Sequence, residues 1–412
     1  MTVMGHSHGD HEVGNLVDES VSRWLWVGAA VCAALTVIGA FLLWPGGDQD
    51  RVLDPAGLSS EPLGAVVREA SVDRCSYDEA TPCRTLTIEI RDGATKGDVW
   101  LWEQSAESPL RDGDEILVTL AELPDGTPLY SFYDYERSAP LLVLVILFVL
   151  CVLLLGRWRG LGAIGGLAAS MIVIVSFMLP SLLDGNSPVA VALVSAGAIA
   201  FIALYLAHGV TAATNVALLS TFASLSITGM LAWIFIRAAH FTGFTDESTF
   251  FLEALGVTVD ARGILLVGIV IGSLGVLDDV TVTQVSAVGQ LRRSQPDASA
   301  AEIYRSALTI GRDHISSTVN TLVLAYAGAS LPLLLLFTET QQGFGGVAMR
   351  EIVAVEVVRA LVGSIGLVAS VPISTLLAAR VFTTRLVSTP PPPRRPRSRD
   401  RPRTEDEEFW SR

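Results

Sequence analysis

Two carboxylates stand side by side in "GVLDDVTVTQ", Asp278 and Asp279, near the end of a long apolar run. Two such groups in a dry setting do not both ionise easily: one keeps its proton, or a cation is held between them. That is the chemistry of proton or cation coupling. Thr281, Thr283 and Gln284 follow on the same run and Asn320 lies on the next, an oxygen-rich set that suits a hard cation better than a soft metal. Three readings of the pair are open: an interior functional site, a structural polar contact, or a solvated pair at the membrane boundary. Arg292 and Arg293 come about three helical turns later, which by helical rise sets the carboxylates inside the apolar layer.

Read at helical spacing, Gly268, Gly272, Gly275, Asp279, Thr283, Ser286 and Gln290 fall on one stripe, glycine at one end and polar at the other. Asp278 lies about 100° away with Thr281. The glycines predict close approach of another backbone, and the polar half predicts a cavity lining. The next run repeats the habit: His314, Ser317 and Thr321 share a stripe that continues through Ala325 and Gly328, Asp313 precedes it, and Asn320 sits on a neighbouring face. In the last run Glu356 and Arg359, three residues apart, can pair on the helix surface. His314 and Asp313 are placed to relay protons at the inner mouth of such a cavity.

These residues need helices in a membrane to hold them. The 412-residue chain is 50% hydrophobic and 17% charged, well under the roughly one quarter charged of soluble domains. Eight runs of spanning length are expected, at about 24–44, 139–156, 160–183, 188–208, 211–236, 263–289, 314–338 and 352–383. The fold class is therefore a polytopic α-helical membrane protein. The expected domains are a disordered N-terminus (1–23), a first transmembrane helix (24–44), an outer domain (45–138), a seven-helix bundle (139–383) and a disordered Pro/Arg-rich tail (384–412). Arg157, Arg159, Arg292, Arg293, Arg305, Arg312, Arg380 and Arg385 mark one side as cytoplasmic, which places both termini inside.

The net charge of −14 is concentrated in 45–138, which holds 20 acidic and 8 basic residues. That balance argues against nucleic acid as a partner. Five short runs rich in β-branched and aromatic residues, with turn groups such as "RDGATKGD" and "LPDGTP" between them, predict a small OB-like or SH3-like barrel. Cys75 and Cys83 flank "SYDEATP" in this segment, and a disulfide there fits an oxidising, extracytoplasmic compartment. In the loop before the seventh run, Ser299 and Glu302 have capping-box spacing, and Ile303, Ala307 and Leu308 form one apolar face, predicting a short surface helix.

"LGVLDDVTVTQ", followed some thirty residues later by "RDHISSTVNTLVLAYAGASLPLLL", resembles the YibE/F family of bacterial membrane proteins. The resemblance runs over roughly 60–383, the β domain included. It implies a multi-span fold in the cytoplasmic membrane and carries no particular activity with it. Matching those motifs selects Asp278, Asp279, Thr281, Thr283, Gln284, Asp313, His314, Ser317, Asn320 and Thr321. Outside the resemblance, His6, His8 and His11 could bind a metal loosely, and the tail arginines could lie on anionic lipid.

Three function classes compete. A secondary transporter or permease would use the carboxylates for a coupling cation or proton and move an unknown solute. Without a Walker motif, its energy comes from a gradient or a separate ATPase. A cell-envelope assembly or scaffolding protein would bind an envelope protein through the β domain. An intramembrane enzyme is the weakest reading, because paired aspartates on one helix in "GVLDD" depart from the two-helix aspartyl protease pattern.

Overall fold

A computed structural model describes residues 17, 19–46, 62–75, 78–105, 107–122, 128–244, 260–339 and 344–382. His6, His8, His11 and the tail from 384 onwards lie outside these residues, as does part of the 45–62 segment. The chain separates into two compact units: Met1–Trp44, Gly165–Thr249 and Val259–Arg412 form one, and Pro45–Ile164 with Phe250–Thr258 the other.

The second unit holds all five expected strands: β1 (Leu63–Cys75), β2 (Asp78–Ile90), β3 (Val99–Ser105), β4 (Glu115–Glu122) and β5 (Pro128–Tyr135). They make one antiparallel sheet in the order β3-β2-β1-β4-β5. Strand alternation turns Leu86, Ile88 and Ile90 inward with Val67, Ile116 and Val118, all fully buried. The two edge strands meet through side chains: Trp100 packs on Tyr130 at 5.6 Å between ring centroids and Trp102 on Phe132 at 6.1 Å. Aromatic contact thus curls the sheet where no backbone ladder closes it. The turn at "RDGATKGD" acts as read from sequence, with Gly93 (φ 75°) and Gly97 (φ 94°) in the left-handed region, as is Gly113 (φ 86°) before β4, while "LPDGTP" falls almost wholly outside the described residues. Cys75 and Cys83 are disulfide-bonded at the far end of the β1–β2 hairpin. β2 starts earlier than expected, since the hairpin continues through most of "SYDEATP".

The helices are α1 (Glu19–Leu42), α2 (Ser138–Val173), α3 (Leu179–Leu183), α4 (Pro188–His208), α5 (Ala212–Ala238), α6 (Ala261–Ser294), α7 (Ala300–Ala329), α8 (Leu331–Glu339), α9 (Phe344–Ala348) and α10 (Glu351–Val381). A π-helical turn, Ile174–Met178, joins α2 to α3. At Arg157 the backbone of α2 leaves helical geometry (φ 51°, ψ −128°), dividing it into two spans at "GRWRG". Among the described residues, seven helices are long and apolar enough to cross a membrane: Ser20–Leu42, Ser138–Trp158, Gly160–Leu183, Pro188–His208, Ala212–Ala238, Ala261–Ser294 and Glu351–Val381. The seventh expected span, 314–338, is not one helix. α7 ends at Ala329, and Pro332 opens α8 after a break at Ser330. The expected short surface helix is likewise the first part of α7. Its Ser299–Glu302 capping box is present, and Ile303 and Ala307 are buried.

Within the helical unit α6 packs against α4, α5 and α10. One end of this unit gathers Val21, Leu25, Val216, Val285, Ile303 and Phe382, and Val17 forms a β-bridge to Phe382. The described starts and ends of the chain therefore meet there. At the other end, the Glu351 carboxylate accepts hydrogen bonds from the backbone N–H of Thr242 (2.6 Å) and Gly243 (2.8 Å) and from the Thr242 hydroxyl. Gly243 has φ 82°, and an added Cβ would lie 2.8 Å from Arg262 N, so only glycine fits beside the start of α6.

Glu351→Ala leaves two backbone donors without their carboxylate. We expect a loss of about 1–3 kcal/mol, read as a lower Tm of the purified protein. An unchanged Tm would show that the clamp contributes nothing to stability.

Candidate functional site

α6 carries the site, and its burial pattern has one open face. Gly268, Gly272, Gly275, Asp279, Thr283, Ser286 and Gln290 are all exposed, while Val270, Leu274, Leu277, Val280 and Val288 are buried on the other sides. The stripe read from sequence is therefore real. Its glycine half, however, is not a backbone-packing surface. An added Cβ on Gly275 meets nothing within 4 Å. On Gly272 it meets the Tyr326 hydroxyl at 3.4 Å, and on Gly268 the Arg359 Nη2 at 3.9 Å. Side chains from α7 and α10 lean over these glycines where another helix backbone was expected.

The two carboxylates part company. Asp279 is exposed on the open face. Asp278 is half-buried and turns away, its carboxylate close to the Thr221 hydroxyl of α5. The hydroxyls of Thr221 and Thr281 are 2.7 Å apart, and Thr281 donates to the Asp278 backbone carbonyl at 3.0 Å. The Asp278 Oδ1 is buried without a partner. Each threonine has one proton to give, so the chain can run two ways. With a protonated carboxyl nearby, Thr221 donates to Thr281 and Thr281 to the Asp278 carbonyl, which leaves the Thr221 oxygen free to accept from it. With an ionised carboxylate, the two hydroxyls turn round and point toward it. The cluster thus accommodates either protonation state by reorienting two O–H groups. Its donors are all oxygen, and no group of three or more His, Cys, Asp or Glu suited to a metal occurs among the described residues. A proton or a hard monovalent cation fits that donor set; a transition metal does not.

The other expected residues divide. Gln284 is buried and points away from the carboxylates. Its Nε2 donates to the Ala307 carbonyl and the Thr375 hydroxyl, both at 2.8 Å, tying α6 to α7 and α10. Thr283 shares the open face with Asp279. On α7, Asp313, Ser317, Asn320 and Thr321 are exposed, and the Thr321 hydroxyl bonds back to the Ser317 carbonyl at 3.0 Å. His314 is half-buried, with Nε2 enclosed and unpartnered. Glu356 and Arg359 form the expected pair at 2.7 Å.

Sequence reasoning missed Thr221 and Tyr326. Thr221 belongs to a buried series on α5 with Ser220, Ser224 and Thr228. A run of hydroxyls at helical spacing was visible there, but which helix it faced was not. Three of the four are satisfied by their own helix: Ser220 bonds Val216 O (2.7 Å), Ser224 bonds Ser220 O (2.9 Å), and Thr228 bonds Ser224 O (2.9 Å). A separate cleft of about 350 Å³, lined by residues such as Leu193, Met230, Trp233 and Val270, contains none of the candidate groups.

A family model described as YibE/F-like protein matches residues 144–384, more than half of the chain. The chain belongs to the YibE/F-like family. The match covers every helix from α3 to α10 and most of α2, hence all the carboxylate, hydroxyl and guanidinium groups above. It begins after β5, so the β domain falls outside it, in contrast to the wider range expected from the motifs. No curated protein and no solved structure matches this YibE/F-like chain. Together with the seven apolar helices, the family makes this an integral membrane protein.

Gln284 and Thr283 give opposite expectations one residue apart. Gln284→Leu removes the two buried bonds that tie α6 to Ala307 of α7 and Thr375 of α10 and should cost about 1–3 kcal/mol. Thr283→Ala, on the open face, should stay within about 0.5 kcal/mol of wild type. Thermal unfolding in detergent reads both, and equal effects would contradict the assignment of faces.

Proposed function

We propose that this protein is a proton- or cation-coupled transporter or permease whose pathway follows the open face of α6. The supporting observation is the pairing of an exposed Asp279 with a half-buried Asp278 that has one enclosed, unpartnered oxygen beside the Thr221–Thr281 hydroxyl pair. α6 is about 51 Å long by helical rise, and Asp278 lies close to its middle. A polar face at that depth is costly against lipid and is tolerable against water. Thr283, Ser286 and Gln290 continue the wet face toward the end where Arg292 and Arg293 lie. Asp313, His314, Ser317, Asn320 and Thr321 line its approach from α7, and Glu356 with Arg359 lines the opposite half.

In the orientation that goes with this reading, the end bearing Arg292, Arg293, Arg305, Arg312 and Arg380 is cytoplasmic, and both termini with it. The β domain is then extracytoplasmic, in keeping with its disulfide. A second reading, envelope scaffolding through that domain, draws on the edge strand β3, where Val99 and Leu101 are strongly exposed.

The test is thermal stability of wild type, Asp278→Asn and Asp279→Asn across pH and a panel of monovalent and divalent cations, followed by proton flux in liposomes. We expect a cation- or pH-dependent stabilisation that Asp278→Asn abolishes, with flux lost in parallel. Curves identical for all three proteins under every condition would overturn the coupling site.

A further inference from the structure

The half of the α6 face away from the carboxylates holds a second arrangement. Arg359 donates from Nη1 to Glu356 Oε1 at 2.7 Å, which occupies one end of the guanidinium. Its Nε is buried and has no partner. Its Nη2 faces the bare backbone at Gly268. Nε and Nη2 are the two donors of one guanidinium edge, and their parallel N–H groups match the two oxygens of a carboxylate. The edge that would make a bidentate contact is therefore the edge that has no protein partner.

The surroundings fit a ligand more than a structural contact. Tyr326 puts its hydroxyl near Gly272, in electrostatic reach of both Arg359 and Glu356, and bonds to no described residue. Gly268 and Gly272 are exposed, and Gly275 beyond them is open space. Any larger side chain at 268 or 272 would fill the gap that Arg359 and Tyr326 overlook. Glu356 offsets the guanidinium charge and holds it in place, so the site selects for geometry as well as sign.

We propose that Arg359 and Tyr326, above the Gly268–Gly272 backbone, bind the carboxylate of a small anionic solute. The carboxylate lies side-on to Nε and Nη2, with the Tyr326 hydroxyl donating to one of its oxygens. This deepens the transport reading by naming the chemical class of its solute, and rests on that reading for its purpose.

Binding is measured without a gradient, on the full-length protein in a zwitterionic nanodisc. Acetate is the probe, titrated against chloride at equal ionic strength and read by thermal shift. Wild type should respond to acetate beyond chloride. Arg359→Lys keeps the partner for Glu356 but loses the forked edge, and should weaken the apparent acetate affinity about tenfold. Gly268→Leu fills the cleft with the ion pair intact and should abolish the response, which keeps the test readable if the arginine variant folds poorly. An acetate response equal to chloride, or one unchanged in Gly268→Leu, overturns the proposal. So does a response confined to nanodiscs containing anionic lipid, which would assign the site to a headgroup. A failed acetate response with the Asp278-dependent cation response intact refutes the solute class alone. The converse refutes the coupling site alone.

Discussion

A polar face halfway along a membrane-length helix must be covered by protein or wetted, because lipid offers no partner for it. That constraint organises the helical unit. α6 buries its apolar sides against α4, α5 and α10 and leaves one stripe uncovered. Its neighbours come close because they are small where they touch. An added Cβ on Gly366 of α10 would overlap Thr228 of α5, and on Gly363 it would lie 3.4 Å from the Ser273 hydroxyl. Ser370, Ser374 and Thr375 of α10 return their hydroxyl protons to their own helix, as the α5 series does. Most buried hydroxyls are thus packing residues with internally satisfied protons. The Thr221–Thr281 contact stands apart because it crosses between helices and lies beside a carboxylate.

What was legible in the sequence follows from which patterns are local. The five strands, the disulfide, the Ser299–Glu302 capping box and the Glu356–Arg359 pair are each set by neighbours within one or two turns or one hairpin. The stripe on α6 was legible too, because helical spacing alone fixes which residues share a face. Its meaning was not. Glycines at packing spacing look the same whether a backbone or an open cleft faces them, and only the positions of Tyr326 and Arg359 decide between the two. Asp278 and Asp279 looked like one unit because they adjoin. A step of about 100° around the helix sends one toward α5 and the other into the open. The expected run 314–338 read as one helix for a related reason: its apolar length sums across Ser330, where α7 gives way to α8.

The β domain meets different demands. Its acidic excess sits on a sheet whose core is built from inward Leu, Ile and Val and closed by two aromatic contacts between edge strands. Nothing in that core needs charge. The acidity therefore concerns the domain's surface: solubility and repulsion of anionic partners. The family match stops short of this domain, so the helical unit carries what the family shares.

The two polar stations on α6 are about 16 Å apart, taking Gly268 and Asp279 as their levels. Two full charges at that separation interact by about 0.3 kcal/mol in water and about 1 kcal/mol at an effective dielectric constant of 20. Glu356 beside Arg359 weakens even that, because the pair presents a dipole in place of a charge. A cation at one station and an anion at the other would barely feel each other through the field. Coupling of several kcal/mol between them needs a moving part. α6 is the element common to both, and its buried Gln284 bonds at once to α7 and α10, the helices that carry Tyr326 and Arg359. In a coupled transporter of this shape, the helix rather than the electrostatic field carries the signal from one site to the other.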